Sequence, residues 1–184
     1  TIGGLIFMQG GPVRQATLTN RFQAAAKTPL LISIDGEWGL SMRLDSTLRY
    51  PKQMALGAIN ENQLIYDFGV ETARQCKRMG IHLNFAPVVD VNSNPENPVI
   101  GFRAFGEDKN RVTQRAVAYM KGLQKAGIIT SAKHFPGHGD TGGFDLAGGE
   151  PTRFERLDSV LTEVQAGAAL REALGAAAVV LALG

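Results

Sequence analysis

Short apolar runs alternate along the chain with longer segments in which apolar residues recur at helical spacing. The runs predict five strands, at Gly4–Met8, Leu30–Ile34, His82–Ala86, Ile128–Ala132 and Ala177–Leu181. The longer segments predict four helices, at about Leu18–Lys27, Asn60–Met79, Asn110–Ala126 and Arg153–Leu174. Strands that are apolar on both faces and separated by helices are typical of a parallel sheet covered by helices.

Polar residues follow successive predicted strands. Asp35 follows the second strand, Asn84 and Asp90 follow the start of the third, and Lys133 and His134 follow the fourth. A doubly wound sheet gathers its ligands at one switch point, whereas every strand of a (β/α)8 barrel contributes to one rim. The pattern therefore favours an α/β fold of the TIM-type (β/α)8 barrel class.

The length of the chain limits how much of such a barrel it can form. Five predicted strands and 184 residues fall short of the roughly 250 residues of a complete barrel. We therefore expect residues 1–184 to form a single, partial barrel domain, or a sheet that closes in some other way. The chain also opens at Thr1 inside an apolar run, so we expect the natural N-terminus to lie upstream, which leaves the localisation open.

The composition of the chain limits the classes of molecule that it is expected to bind. With 44% hydrophobic residues, the chain is ordinary globular material that can bury a sizeable core. Its 19 basic and 17 acidic residues nearly balance, and no basic block predicts nucleic-acid binding. Cys76 is the single cysteine and cannot form an internal disulfide. Every apolar run is shorter than the roughly 18 residues that a membrane span requires.

The segment Lys133–Thr141 carries the densest group of chemically active side chains. A buried strand there ends in a cation and an imidazole before the chain turns at Pro136 and Gly137, which predicts the floor of an active site. The structural alternative is a solvated lysine at a strand end beside packed loop histidines. His134 and His138 do not predict a metal site, because the Pro-Gly turn prevents a helix and no third ligand has zinc-like spacing.

Four segments together resemble a known family. They are Ile34–Leu44, Asn84–Pro95, Arg103–Gly106 and Lys133–Thr141, and they are similar to the catalytic barrel of family 3 glycoside hydrolases, especially the bacterial β-N-acetylglucosaminidases. The resemblance runs from about Gly3 to Thr141, and residues 142–184 are only weakly similar. It implies a retaining glycosidase that removes terminal β-linked N-acetylglucosamine or a related sugar and needs no metal or other cofactor.

The resemblance also implies the residues that bind the sugar. Asp35 would hold the terminal sugar, while Arg103, Lys133 and His134 would contact its hydroxyls. This agrees with their chemistry, because a carboxylate accepts paired hydrogen bonds from adjacent hydroxyls and the other three side chains donate them. The structural alternative for Asp35 is a turn or N-cap aspartate.

Neighbouring residues in the same motifs have a different expected role. Arg103 has a structural alternative, an ion pair with Asp90 or Glu107. We expect Glu37, Arg43 and Asp90 mainly to hold the loops through hydrogen bonds and ion pairs. Trp38 follows Glu37 directly, and a lone tryptophan in such a loop packs more often than it stacks on a sugar.

The catalytic groups depart from the pattern of the family. Retaining glycosidases usually use two carboxylates about 5 Å apart, and by resemblance the nucleophilic aspartate belongs to a strand beyond Gly184. The acid/base of the similar branch is a histidine held by an aspartate just after the Lys133–Thr141 segment. Here Asp145 is the candidate for that aspartate, but no histidine follows it.

Two interpretations follow from these observations. In the first, the chain is the sugar-binding part of a family 3 glycosidase. In the second, the chain as written is a catalytically inactive fragment or scaffold that associates through the exposed edges of an open sheet. The two are compatible, because the first concerns the parent enzyme and the second concerns this polypeptide.

Overall fold

Five parallel strands form one sheet, as the sequence predicts. The structure is a computed structural model that describes residues 2–135 and 137–140 and the backbone of residues 179–182. The strands are β1 Gly4–Phe7, β2 Leu31–Ile34, β3 Leu83–Asn84, β4 Ile129–Phe135 and β5 Val179–Ala182. Each pairs in parallel with the next along the chain, in the order β1-β2-β3-β4-β5. This consecutive order is that of a TIM-type barrel, of which the described residues form an incomplete part.

Helices connect the strands. The described residues contain α1 Pro12–Ala25, α2 Gln53–Gly57, α3 Asn62–Arg78 and α4 Lys109–Lys125, with 3-10 turns at Leu40–Met42 and Gly101–Arg103. The predicted start of the first helix at Leu18 is wrong. The helix begins at Pro12, after Gly11 in an extended conformation. Proline is favoured at the first position of a helix, because the N–H that it lacks would have no partner there. The predicted helix Arg153–Leu174 lies outside the described residues.

The third and fourth strands differ in length from their predictions for a shared reason. β3 ends at Asn84 instead of Ala86, because the Ala86 N–H turns back to the Asn84 carbonyl at 2.8 Å. The residues that follow then pair with β4: Lys133 N donates to Pro87 O at 3.1 Å, and Val89 N donates to Lys133 O at 2.6 Å. This pairing at Lys133, together with that of Phe135 with Ala182 of β5, extends β4 beyond Ala132 to Phe135, so that Lys133 and His134 lie within the strand.

The core lies between the sheet and the helices. Its centre holds Ile32 and Ile34 of β2, together with Ile65 of α3 and Leu123 of α4, all fully buried. Cys76 is also buried there, and burial raises the pKa of its thiol to about 12, so it stays protonated. In the described part of the chain, no helix combines the length and apolar character needed to cross a membrane.

Two glycines let α3 and α4 pack closely. A Cβ added to Gly69 would lie 2.4 Å from the carbonyl oxygen of Tyr119, and one added to Gly122 would lie 2.1 Å from that of Tyr66. Atoms cannot approach so closely, so the two backbones cross at a distance that only glycine permits at these positions. The crossing also positions Tyr119, which is fully buried at the centre of α4.

Candidate functional site

The four residues predicted to bind ligand come from three parts of the sheet. Asp35 directly follows β2, Arg103 closes the 3-10 turn after β3, and Lys133 and His134 lie near the end of β4. Lys133 Nζ lies 2.8 Å from Asp35 Oδ1, although the two residues are 98 positions apart in sequence. The predicted placement of the Asp35 carboxylate and the Lys133 ammonium at one end of the sheet is therefore confirmed.

Glu37 links Lys133 to Arg103. Its Oε1 lies 2.8 Å from Lys133 Nζ, and its two oxygens accept from Arg103 Nη2 at 2.8 Å and Nε at 3.0 Å. The third guanidinium nitrogen of Arg103 donates to Val99 O at 3.1 Å. The hydrogen-bonded partner of Arg103 is thus Glu37, and not the Asp90 or Glu107 considered from the sequence.

Asp35 bridges two cations. Its Oδ2 accepts from Arg43 Nη2 at 2.7 Å, while Oδ1 accepts from Lys133. Burial acts to raise the pKa of Asp35, but the hydrogen bonds and charges of Lys133 and Arg43 outweigh it and hold the pKa below its ordinary value. The carboxylate is therefore ionised near neutral pH. An ionised carboxylate has about four acceptor positions, so each oxygen can still accept from a ligand hydroxyl.

The pair formed by the buried Glu37 and the partly buried Arg103 is ionised as well. Burial acts to raise the pKa of Glu37, yet Arg103 and Lys133 lower it below its ordinary value. Burial acts to lower the pKa of Arg103, yet Glu37 chiefly, with Asp90 and Asp35, raises it. Both groups therefore carry full charge, in a bidentate arrangement that fixes the guanidinium plane.

Asp90 holds His134 in position. Its Oδ2 lies 2.6 Å from His134 Nδ1, and its Oδ1 accepts from the backbone N–H of His138 at 2.8 Å. A carboxylate only accepts, so His134 carries a proton on Nδ1, and Nε2 is the ring nitrogen directed away from Asp90. The contacts of Asp90 are those of a residue that orients its neighbours, as the sequence led us to expect.

The loop after Asp35 is fixed by residues from two other elements. Asn84 Oδ1 accepts from Gly36 N at 2.8 Å, and Asn84 Nδ2 donates to Gly36 O at 3.1 Å. The Tyr119 hydroxyl of α4 donates to the same Gly36 oxygen at 3.1 Å. Sequence reasoning placed Asn84 at the rim but missed Tyr119, whose polar tip on an otherwise apolar helix face was the available signal.

Gln53 is a second positioning residue that sequence reasoning missed. It lies in α2, a helix in a segment for which the sequence analysis predicts neither helix nor strand, and is fully buried. Its amide donates to Val88 O at 3.0 Å and to Arg103 O at 2.8 Å, and its oxygen accepts from Val88 N at 3.2 Å. Gln53 thereby ties the backbone of Arg103 to the segment between β3 and Asp90.

Two remaining expectations concern catalysis and metals. Asp145, the catalytic candidate from the sequence, lies outside the described residues. Among residues 2–135 and 137–140, no group of three or more His, Cys, Asp or Glu side chains is arranged to hold a metal ion.

Comparison with known proteins identifies the family. Residues 2–161 match the model of the glycosyl hydrolase family 3 N-terminal domain. The chain belongs to this family. The match confirms the predicted resemblance and extends it past Thr141.

Individual relatives agree with the family. The family 3 chain is 40% identical over 153 residues to β-hexosaminidase A of Pseudoalteromonas piscicida, an alignment covering 76% of this chain and 26% of that protein. It is 41% identical over 126 residues to the β-hexosaminidase LpqI of Mycobacterium tuberculosis, covering 67% and 32%. The chain thus spans about a quarter to a third of the length of these curated relatives.

Solved structures share the fold. The structure of NagZ from Neisseria gonorrhoeae, in complex with N-trifluoroacetyl-D-glucosamine, matches with a TM-score of 0.83 and 29% identity over 99% of this chain and 55% of that one. The structure of M. tuberculosis LpqI matches with a TM-score of 0.82 and 32% identity over 98% and 53%.

Proposed function

We propose that this family 3 barrel binds a terminal β-linked N-acetylglucosamine or a related sugar as part of a retaining β-N-acetylhexosaminidase. The observation that carries the proposal is that Asp35, Arg103 and Lys133 are joined in one network through Glu37, while His134, held by Asp90, directly follows Lys133 on β4. The β-hexosaminidase relatives support this substrate class. No metal or other cofactor enters the proposal.

Charge balance in the network supports a neutral ligand. Asp35, Glu37 and Asp90 supply three carboxylates, and Arg43, Arg103 and Lys133 supply three cations. These six groups carry equal numbers of formal positive and negative charges. A phosphorylated or carboxylated ligand would need an excess of cations, whereas a neutral sugar needs fixed donors beside fixed acceptors, which this network offers.

Each group has a proposed task in binding. Asp35 accepts from two neighbouring hydroxyls of the sugar, because its side chain remains partly exposed beside the buried Lys133. Lys133 and Arg103 donate to ring hydroxyls, and His134 contributes Nε2. Because partners on the protein already hold these groups, binding costs little side-chain entropy.

Weak binding of N-acetylglucosamine tests this assignment. Asp35→Asn keeps the shape of the side chain but removes its charge, and we expect affinity measured by titration calorimetry to fall about tenfold or more, since a charge-assisted hydrogen bond contributes about 1.5 to 3 kcal/mol. Asp67→Asn, on the exposed face of α3, is the matched control and should leave affinity unchanged. Equal affinities of the two variants would show that the sugar binds elsewhere.

Turnover separates the enzyme from the inactive scaffold. Cleavage needs a group to protonate the leaving oxygen and a carboxylate to capture the anomeric carbon, and in this chain only Asp145 is proposed for such a role. We expect no chromophore release from an aryl β-N-acetylglucosaminide by the chain as given, and release by a polypeptide extended past Gly184. Turnover by the shorter form would contradict the inactive-scaffold interpretation. In that case, mass spectrometry after incubation with a fluorinated sugar would identify the residue that acts as nucleophile.

A further inference from the structure

A second cavity, of about 500 Å³, lies between the end of β1, the start of α1 and the loop that follows β2. Its lining includes Phe7 of β1, Arg14, Gln15 and Leu18 of α1, and Arg43 and Asp45 of the loop. None of the four side chains proposed to bind the sugar lines this cavity, within the described residues. The cavity is therefore a candidate site for a ligand of its own.

Gln15 is the feature of the cavity that points to a ligand. Its side chain is among the most buried in the chain, since Gln15 is only 2% exposed, and neither its Nε2 nor its Oε1 has a hydrogen-bond partner in the described part of the chain. Leaving buried polar groups unpaired is unfavourable, and in folded proteins such groups are nearly always paired. An amide has both donors and an acceptor, so a ligand that pairs Gln15 must itself present an acceptor and a donor.

The start of α1 adds further donors to the cavity. The helix begins at Pro12 after Gly11, and no side chain caps it. Gln15 N donates to Gly11 O at 3.0 Å, which closes the first turn, so the N–H groups of Val13 and Arg14 have no partner within the helix. Together with the Arg14 guanidinium, these N–H groups favour a negative group on the ligand.

The loop after β2 contributes charges of both signs. Arg43 donates to Asp35 through Nη2, whereas its Nε is buried without a hydrogen-bond partner in the residues that the structure describes. Asp45 is exposed, and its Oδ1 lies so close to Gly11 that a Cβ added there would be 3.1 Å away. The Asp45 carboxylate is therefore near the start of α1, where it favours a positive group on the ligand beside the negative one.

A ligand with adjacent positive and negative groups matches this lining. We propose that the cavity binds a free α-amino acid with an aliphatic side chain. The carboxylate of the amino acid accepts from Arg14 and the start of α1, its ammonium donates to Asp45, and the Gln15 amide pairs with both groups. Phe7 and Leu18 provide apolar contacts for the aliphatic side chain. This site is independent of the proposed sugar site, and its test involves no sugar.

The test separates the contributions of the two charged groups of the ligand. L-leucine, 4-methylpentanoate, which lacks the ammonium, and 3-methylbutylamine, which lacks the carboxylate, are titrated into the unmodified chain by calorimetry. We expect saturable binding of L-leucine, and binding of each analogue weaker by about tenfold or more, because each loses charge-assisted hydrogen bonds. Equal affinity for L-leucine and 4-methylpentanoate would overturn the proposal in favour of a simple anion site. The absence of saturable binding by all three compounds would overturn the site itself.

Two matched glutamine variants distinguish loss of the site from loss of the fold. Gln15→Leu removes the unpaired amide at similar volume, so its Tm should not fall, while its affinity for L-leucine should fall about tenfold or more. Gln63→Leu makes the same exchange at an exposed position of α3 and should leave that affinity unchanged. If Gln15→Leu binds L-leucine as tightly as the unmodified chain does, the proposal is overturned.

A charge variant tests the position assigned to the ammonium group. Asp45→Asn should weaken binding of L-leucine by about tenfold, because it removes the charged partner of the ammonium. The same variant should not weaken binding of 4-methylpentanoate, which has no ammonium. An unchanged affinity for L-leucine in Asp45→Asn would contradict the proposed arrangement of the ligand.

Discussion

The described part of the chain contains two arginine–glutamate pairs of nearly the same geometry in very different surroundings. Arg74 contacts both oxygens of Glu71 on the surface of α3, each at 2.7 Å. Arg103 contacts both oxygens of Glu37 at 3.0 and 2.8 Å. The side chains of the first pair are 58% and 34% exposed, against 23% and 0% for the second. The same contact is therefore screened by water in one place and enclosed by protein in the other.

The pairs also differ in what their formation requires. Glu71 and Arg74 are three residues apart and meet in any helix. Glu37 and Arg103 are 66 residues apart and meet only when β2, β3 and their loops are in place. The first pair requires only the local helix, whereas the second requires the whole rim to be folded. Removing one partner should therefore change the unfolding free energy by different amounts in the two pairs.

The largest effect is expected at Glu37. Glu37→Gln keeps the volume but removes the charge of a fully buried carboxylate and leaves the partly buried Arg103 without its ionic partner, which costs on the order of 3 kcal/mol of unfolding free energy. Urea denaturation followed by circular dichroism measures the loss. A change below about 0.5 kcal/mol would mean that water compensates Arg103 and that the enclosure has little energetic effect.

The second-largest effect is expected at acid pH, which should lower the unfolding free energy through the carboxylates of the rim. The pKa values of Asp35 and Glu37 are lowered in the fold from ordinary values of 3.8 and 4.5. Their contribution to stability is therefore complete above those values and is lost as the pH falls through the lower, folded values. We expect the unfolding free energy to decrease below about pH 4.5, even in high salt that screens the α3 pair. The decrease should be shallower in Glu37→Gln, and parallel curves for the two proteins would contradict this.

A neutral contact in the same region should contribute less than the ion pair. Tyr119→Phe removes the hydroxyl that donates to Gly36 O, but that oxygen keeps its bond from Asn84. We expect a loss of about 1 kcal/mol in the same urea experiment. A loss as large as that of Glu37→Gln would show that hydrogen bonding alone, without charge, accounts for the stability of the rim.

The smallest effect is expected at the exposed pair. Glu71→Gln removes a charge that water replaces readily, so the urea midpoint should stay unchanged at physiological salt. The Glu71 variant is the matched control for the Glu37 variant, because both exchange a glutamate bound by two nitrogens of one arginine. If the Glu71 and Glu37 variants lost the same unfolding free energy, burial would not distinguish the two ion pairs.

Much of the fold follows from the sequence because apolar periodicity determines elements directly. The runs at Leu30–Ile34 and Ile128–Ala132 predict β2 and the start of β4, and Gly80 and Gly127 end the helices that precede β3 and β4. The extension of β4 to Phe135 was not predictable in this way. It depends on pairing of Lys133 with residues 87–89 and of Phe135 with Ala182, which are contacts between distant segments that periodicity does not report.

The sequence predicted which residues belong to the candidate site better than it predicted which residues they contact. Asp35, Lys133 and His134 follow or end apolar runs and so belong to the rim by topology alone. The roles of Glu37 and Gln53 required coordinates, because their partners lie in segments joined only by the folded sheet. Glu37 was expected to hold the loops through hydrogen bonds and ion pairs, and in the structure it is the buried carboxylate to which both Lys133 and Arg103 bind.

The close crossing of α3 and α4 links two residues without side chains to the chemistry of the rim. Gly69 and Gly122 set the separation of the helix axes, and Tyr119 is one turn of α4 before Gly122. A methyl group at either glycine would push α4 outward and carry the Tyr119 hydroxyl away from Gly36, the residue that follows Asp35. Under the proposed function, sequence variation at these two glycines, which lie outside the rim, would then alter how tightly the site holds a sugar, so that the helix spacing contributes to its proposed specificity.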